Sequence, residues 1–141
     1  MAEIARTLAG ELAPGDRVLL EGPLGAGKST FARALILNLG VQQPPEGSPT
    51  FAIAHEYQST ESDVIHIDFY RLRSDLEIDE AGIPAYFWER NAVVICEWLS
   101  LWPSFEKAVL GQSKRIWRVQ LSINTDRPSS RALRIDLGGS A

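Results

Sequence analysis

At 141 residues the chain has room for one domain with a proper core, over 1–141, and none for a second. With 45% hydrophobic and 23% charged residues and no long apolar run, it excludes a membrane span, and its N-terminus has no secretory leader pattern. A net charge of −4 argues against bulk nucleic-acid binding, DNA included.

Ala2–Leu12 puts Ile4, Ala5, Leu8 and Leu12 on one helical face, and Pro14-Gly15-Asp16 ends that helix. A strand, Arg17–Glu21, follows, then a helix from Lys28 to Leu39 with Gly40 as its left-handed cap. Residues 41–50 read as a Pro-rich loop ending in Ser48-Pro49-Thr50-Phe51. Phe51–Tyr57 alternates with a period of two, and Val64–Tyr70 is a second strand after the polar turn Ser59–Asp63. The short connection makes this pair an antiparallel hairpin, a departure from a purely parallel sheet.

Ser74 with Glu77 forms a capping box that opens a short acidic helix, Asp75–Gly82, and Pro84 restarts the chain toward Tyr86-Phe87-Trp88. Ala92–Trp98 is the near-continuous apolar strand of a sheet centre. Its Cys96, the lone cysteine, reads as a small buried hydrophobe rather than a disulfide or metal ligand, and points to the cytoplasm. Ser104–Leu110 is a short helix closed by Gly111.

Two strands end the chain, Arg115–Ile123 and Arg131–Leu137, joined by Asn124–Ser130 and followed by a frayed tail, Gly138–Ala141. Trp117, Val119, Leu121, Leu133, Ile135 and Leu137 share the inward faces, with Arg118, Gln120, Arg134 and Asp136 outward. Residues 1–106 carry 7 Lys/Arg against 16 Asp/Glu, and residues 107–141 carry 7 against 2. That basic end suits an acidic partner or an RNA, or else places arginines on the wet face of a hairpin.

The chemistry begins at Gly22-Pro23-Leu24-Gly25-Ala26-Gly27-Lys28-Ser29, a phosphate-binding loop between a strand and a helix. Its glycines let the backbone wrap a phosphate chain, and the helix N-terminus adds its positive dipole end. Gly25, Ala26, Gly27, Lys28, Ser29 and Thr30 are therefore the candidate contacts to a nucleoside triphosphate such as ATP. Lys28 brings a charge to the outer phosphates and the Ser29 hydroxyl a ligand to Mg²⁺.

Such a site needs a carboxylate at the end of a neighbouring strand, and two stretches end that way, Val93–Glu97 and Val64–Asp68. Neither acid can sit unpaired in a core. Glu97, on the more apolar strand and beside Trp98, is the better metal carboxylate. Asp68 then holds a metal-bound water, orients the attacking water, or pairs with Arg71 or Arg73. Thr50 occupies the place of a nucleotide-sensing switch segment, where a hydroxyl can reach Mg²⁺ or the terminal phosphate. His55 and His66 alternate with apolar residues and read as satisfied structural histidines. Trp88, Trp98, Trp102 and Trp117 read as packing residues, with Trp98 near the site.

Together these residues resemble the TsaE family, small bacterial ATPases needed for threonylcarbamoyladenosine modification of tRNA. The resemblance rests on Gly22–Thr30, Ser48-Pro49-Thr50-Phe51, His66-Ile67-Asp68-Phe69-Tyr70-Arg71-Leu72, Gly82-Ile83 with Tyr86-Phe87, and Glu97-Trp98, and it covers about residues 1–110. It implies an α/β fold, a P-loop NTPase-like three-layer sandwich whose mixed sheet has an antiparallel part and helices on both faces. It further implies feeble Mg²⁺-dependent ATP hydrolysis, with Ser29 and Glu97 on the metal, switch behaviour around Thr50, and Lys28 and Asp68 acting in hydrolysis. The implied partner is the TsaB–TsaD complex, reset by ATP turnover between rounds, with tRNA reached indirectly through it.

Relatives carry a short segment before the first helix that helps close the nucleotide pocket, whereas this chain starts at the helix. The run Leu99-Ser100-Leu101-Trp102 is more apolar than the family pattern and is a candidate partner surface. Two other readings compete: a small-molecule kinase, with Arg71, Arg73 or Arg90 serving as lid arginines, and a nucleotide-gated binding module that barely hydrolyses ATP.

Overall fold

The structure, a computed structural model, describes residues 2–41, 53–60, 62–113, 115–123 and 131–138. Six strands form one sheet: β1 Arg17–Glu21, β2 Ala54–Gln58, β3 Asp63–Asp68, β4 Ala92–Glu97, β5 Ile116–Ile123 and β6 Arg131–Gly138. Their order is β2-β3-β4-β1-β5-β6. The four central strands run parallel, and each edge strand pairs antiparallel with its neighbour. The expected mixed sheet is thus present, with antiparallel hairpins at both edges.

Strand alternation divides the apolar side chains between two layers. Val18, Leu20, Val64, Val93, Ile95, Val119 and Leu121 pack with α1 (Ala2–Glu11) and α2 (Lys28–Asn38). Leu19, Ile65, Ile67, Val94 and Cys96 pack on the other face, with α3 (Asp75–Glu80), α4 (Ile83–Trp88) and α5 (Pro103–Gln112). Each fully buried Leu, Ile or Val contributes roughly 1.5–3 kcal/mol, so both layers are needed to hold the sheet. All six residues of β4 are buried, as its apolar run predicts. Burial pushes the Cys96 thiol far above its ordinary range, which leaves it an inert core residue.

Several local expectations change. On α1 the buried face is Ala5, Leu8 and Ala9 with Leu12 packed beside it, and Ile4 is exposed. β3 stops at Asp68 because the Asp68 carboxylate accepts the Tyr70 N–H and turns Phe69–Arg71 into a 3-10 turn. Gly82, with φ of 72°, leads into α4, a helix over a stretch to which the sequence assigns no element; Pro84 sits in its first turn, where its missing N–H is harmless. In α5, Gly111 lies within the helix, which closes at Ser113. Leu137 shares a face with Ile135 but is 54% exposed at the end of the edge strand, whereas Trp88, 38% exposed, packs its ring against Phe87 and Phe105. The capping box is half made: Ser74 accepts the Glu77 N–H, and no return bond from the Glu77 carboxylate is formed among the described residues.

The outward arginines of the C-terminal hairpin are paired where described: Arg118 with Glu21, Arg134 with Asp136, and Arg115 with Asp16. That is the wet-face arrangement. Among the described residues no helix is long and apolar enough to cross a membrane.

Candidate functional site

The phosphate loop leaves the central strand β1 and enters α2, so it stands at the carboxyl edge of the parallel part of the sheet, where ligands of open α/β sheets bind. Two glycines make its path possible. Gly22 has φ of +145°, and a Cβ there would lie 2.3 Å from the Leu121 carbonyl oxygen. Gly27 has φ of 99° and caps α2 without any side chain to block its first turn. Gly25, Gly27, Lys28, Ser29 and Thr30 line a cleft of about 400 Å³, completed by Leu24, Asp68, Tyr70, Glu97 and Trp98.

The register of β3 on β4 sets Asp68 against Glu97 and His66 against Ile95. With a period of two, His66, Asp68, Ile95 and Glu97 all fall on the α2 face of the sheet. The Ser29 hydroxyl donates to Glu97 Oε1 at 3.0 Å. Glu97 Oε2 meets His66 Nε2 at 2.5 Å, and both side chains are almost fully buried. The structure thus brings Ser29 and Glu97, the two residues expected on the metal, into contact.

Lys28 donates to the carbonyl oxygens of Gly22 and Pro23, and its ammonium lies 4.0 Å from the centre of the Trp98 ring. Burial lowers the Lys28 pKa, while the Glu97 and Asp68 carboxylates pull it back up. Trp98 sits at φ of 64°, the one non-glycine residue with positive φ among those described, and it packs against the Tyr70 ring. A bulky side chain in that conformation is strained, as is common beside functional groups.

Asp68 and Lys28 both line the cleft. Asp68 spends one oxygen on the Tyr70 N–H rather than on an ion pair with Arg71 or Arg73. Ala26 does not line the cleft: its side chain is in the core and its N–H is donated to Pro23. Thr50 and the Ser48–Phe51 turn lie outside the described residues. Arg90 bridges Glu56 and Asp63, at the start of β3 and the opposite end of the sheet, so it cannot serve as a lid arginine. In the Leu99–Trp102 run, Leu99 is buried, Trp102 donates its indole N–H to Phe69, and Leu101 is exposed.

His66 is the residue sequence reasoning undervalued. It is 1% exposed, and among the described residues only its Nε2 is satisfied, by Glu97, while Nδ1 has no hydrogen-bond partner. The available signal was parity: His66 lies two residues before Asp68, on the same strand face as the acid. Tyr70 and Leu24, which shape the cleft mouth, carried no signal beyond their position in the motifs.

Oxygen donors, a hydroxyl and a carboxylate, suit a hard cation such as Mg²⁺. Among the described residues no cluster of three or more His, Cys, Asp or Glu could hold a metal alone. Mg²⁺ with few protein ligands and substrate phosphates to complete its shell fits that arrangement.

A family model described as threonylcarbamoyl adenosine biosynthesis protein TsaE matches residues 1–133. Similar curated relatives are proteins called tRNA threonylcarbamoyladenosine biosynthesis protein TsaE. One from Bacillus subtilis is 38% identical over 70% of this chain and 60% of its own length. Another from Aquifex aeolicus is 41% identical over 63% of this chain and 66% of its own. A third from Rickettsia felis is 36% identical over 68% of this chain, which spans little more than half, 55%, of that protein. Among solved structures, Bacillus subtilis YdiB superposes with a TM-score of 0.70 at 26% identity, over 99% of this chain and 78% of YdiB. The match over nearly the whole chain, on top of a phosphate loop facing Glu97-Trp98, makes the chain a member of the TsaE family of threonylcarbamoyl adenosine biosynthesis proteins.

Proposed function

We propose that this chain is a slow Mg²⁺-dependent ATPase that serves threonylcarbamoyladenosine modification of tRNA by acting on the TsaB–TsaD complex in the cytoplasm. The observation that carries this reading is the 3.0 Å contact of the Ser29 hydroxyl with the buried Glu97 at the mouth of the phosphate loop. The names of the relatives support the pathway.

Ser29 and Glu97 would hold Mg²⁺, which when bound neutralises charge on the outer phosphates. The loop from Gly25 to Thr30 would bind and orient the phosphate chain. Lys28, released from the Gly22 and Pro23 carbonyls, would bring its ammonium to the terminal phosphates. Asp68, on the adjoining strand end, would orient the attacking water, and its oxygen not used by Tyr70 is the one available for that task. Thr50 would close the site as a switch. Little in this set is a strong general base, which is consistent with feeble turnover in isolation and a rise on contact with partners. Chemistry on tRNA then belongs to the partner complex, and tRNA is met indirectly.

The test is ATP hydrolysis by the purified protein, alone and with TsaB, TsaD and tRNA from the same source. Low turnover that rises only with those partners is expected. Turnover indifferent to them but raised by a small hydroxylated metabolite would overturn the reading in favour of a kinase.

A further inference from the structure

The Glu97 carboxylate has its two oxygens committed to different neighbours. Oε1 accepts from Ser29, the group expected to turn toward a metal, and Oε2 is held by His66 at 2.5 Å. A carboxylate only accepts hydrogen bonds, so the proton of the second contact rides on His66 Nε2. We propose that His66 is a positioning residue for the metal carboxylate: by holding Oε2 from within the sheet it keeps Oε1 turned to Ser29. The inference rests on the reading of Ser29 and Glu97 as the Mg²⁺ site.

Three observations carry it. First, Glu97 is 2% exposed, and a buried carboxylate oxygen without a donor is strongly unfavourable. Second, the contact spans neighbouring strands in fixed register, His66 beside Ile95 and Asp68 beside Glu97, so the donor is as rigid as the sheet. Third, the ring is poorly provided for in every other respect. Its Nδ1 has no hydrogen-bond partner among the described residues, and it sits on a strand whose buried neighbours are Val64, Ile65 and Ile67. A valine or leucine would pack at that place without an orphaned nitrogen. Among the described residues the one hydrogen bond the imidazole makes is the one to Glu97. Groups that orient a metal ligand in this way commonly change metal affinity by roughly 10–100-fold when removed.

Gln and Asn separate this role from simple packing. A glutamine amide can put an N–H donor near the place of Nε2, whereas an asparagine, one methylene shorter, cannot reach Glu97. Both are polar and similar in bulk, and thermal melts identify the folded samples. The probe is ADP binding by calorimetry across a Mg²⁺ series and in EDTA, which requires neither turnover nor partners. His66→Asn is expected to raise the Mg²⁺ concentration for half-maximal enhancement about tenfold while affinity in EDTA stays within about twofold. His66→Gln is expected to stay within about threefold of the parent on both measures.

Equal losses with and without Mg²⁺, or His66→Asn and His66→Gln behaving alike, would overturn the positioning role. A parent protein whose ADP binding ignores Mg²⁺ would overturn the Mg²⁺ site itself, and the inference with it. A Mg²⁺-dependent parent with an unaffected His66→Asn would overturn the inference alone.

Discussion

Asp68 and Glu97 close neighbouring strands side by side, yet they meet different surroundings. Glu97 is buried against a hydroxyl and an imidazole, whereas Asp68 stands half-buried at the cleft with the Tyr70 N–H on one oxygen. Burial is the largest influence on Asp68 and raises its pKa, with Glu97 adding to the rise. The Tyr70 N–H, His66 and Arg71 oppose it. The folded protein therefore holds the Asp68 proton more tightly than the unfolded chain does. Its stabilising contribution is complete below the unfolded pKa and lost as pH rises through the folded one, so at neutral pH the charged group opposes folding. Asp68→Asn keeps an acceptor for Tyr70 and removes the charge. We expect that variant to melt above the parent at pH 7, with the gap closing as the pH falls through the raised Asp68 pKa. Equal melting temperatures at pH 7 would show that solvent at the cleft mouth already screens the carboxylate. A group kept charged against stability at a cleft is the usual mark of a functional requirement.

Among the elements, α3 is the one most dependent on its ends. It has six residues, one buried anchor in Ile78, and an exposed Leu76, so packing alone holds it weakly. Ser74 accepts the Glu77 N–H at 3.3 Å, and Asp75 and Glu77 lie in the first turn, where negative charge suits the helix dipole. Ser74→Ala is expected to lower stability by about 1 kcal/mol, read as a shift of the urea midpoint at constant slope. No shift would mean that α3 is held by its neighbour α4 rather than by its cap. This cap was legible in the sequence because it is local, as were β1, β4 and the phosphate loop, where each residue type follows from its own strand or turn. α4 was not, because Gly82-Ile83-Pro84 looks like a break until Pro84 is seen in a first helical turn. The His66–Glu97 contact was not either, since 31 residues separate the two and only strand register brings them together.

Across the whole molecule the sheet has a chemical end and a structural end. The phosphate loop, Asp68 and Glu97 crowd the carboxyl ends of β1, β3 and β4. At the amino ends, Arg17 is buried, donating to the carbonyl oxygens of Phe87 at 2.7 Å and Ala92 at 3.0 Å. Its guanidinium also lies 5.3 Å from the centre of the Phe87 ring, so one side chain ties β1 to β4 and to the end of α4. Beside it, Asp16 accepts the Ala13 N–H and the Trp117 indole N–H, fixing the end of α1 to β5. None of this was readable from Arg17 in the sequence, where an arginine at a strand start suggests a wet edge. Removing its side chain would take the Arg17 donor from the Phe87 carbonyl, leave the Ala92 carbonyl with the Gly15 N–H alone, and open a void, a loss of roughly 2–4 kcal/mol. Burial lowers the pKa of Arg17 and of Lys28 alike. Among the described residues, however, Lys28 hydrogen-bonds only to the Gly22 and Pro23 carbonyls of its own loop and ties no strand to a helix, so its removal mainly relieves a desolvated cation. The two ends should therefore separate by mutation. Arg17→Ala is expected to unfold at much lower urea while its folded fraction binds ATP like the parent. Lys28→Ala is expected to melt no lower than the parent and to bind ATP at least about tenfold more weakly, the scale of one charge-assisted contact. If folded Arg17→Ala also lost ATP affinity, the strands would be transmitting strain from one end of the sheet to the other, and the phosphate loop would depend on the packing beneath it.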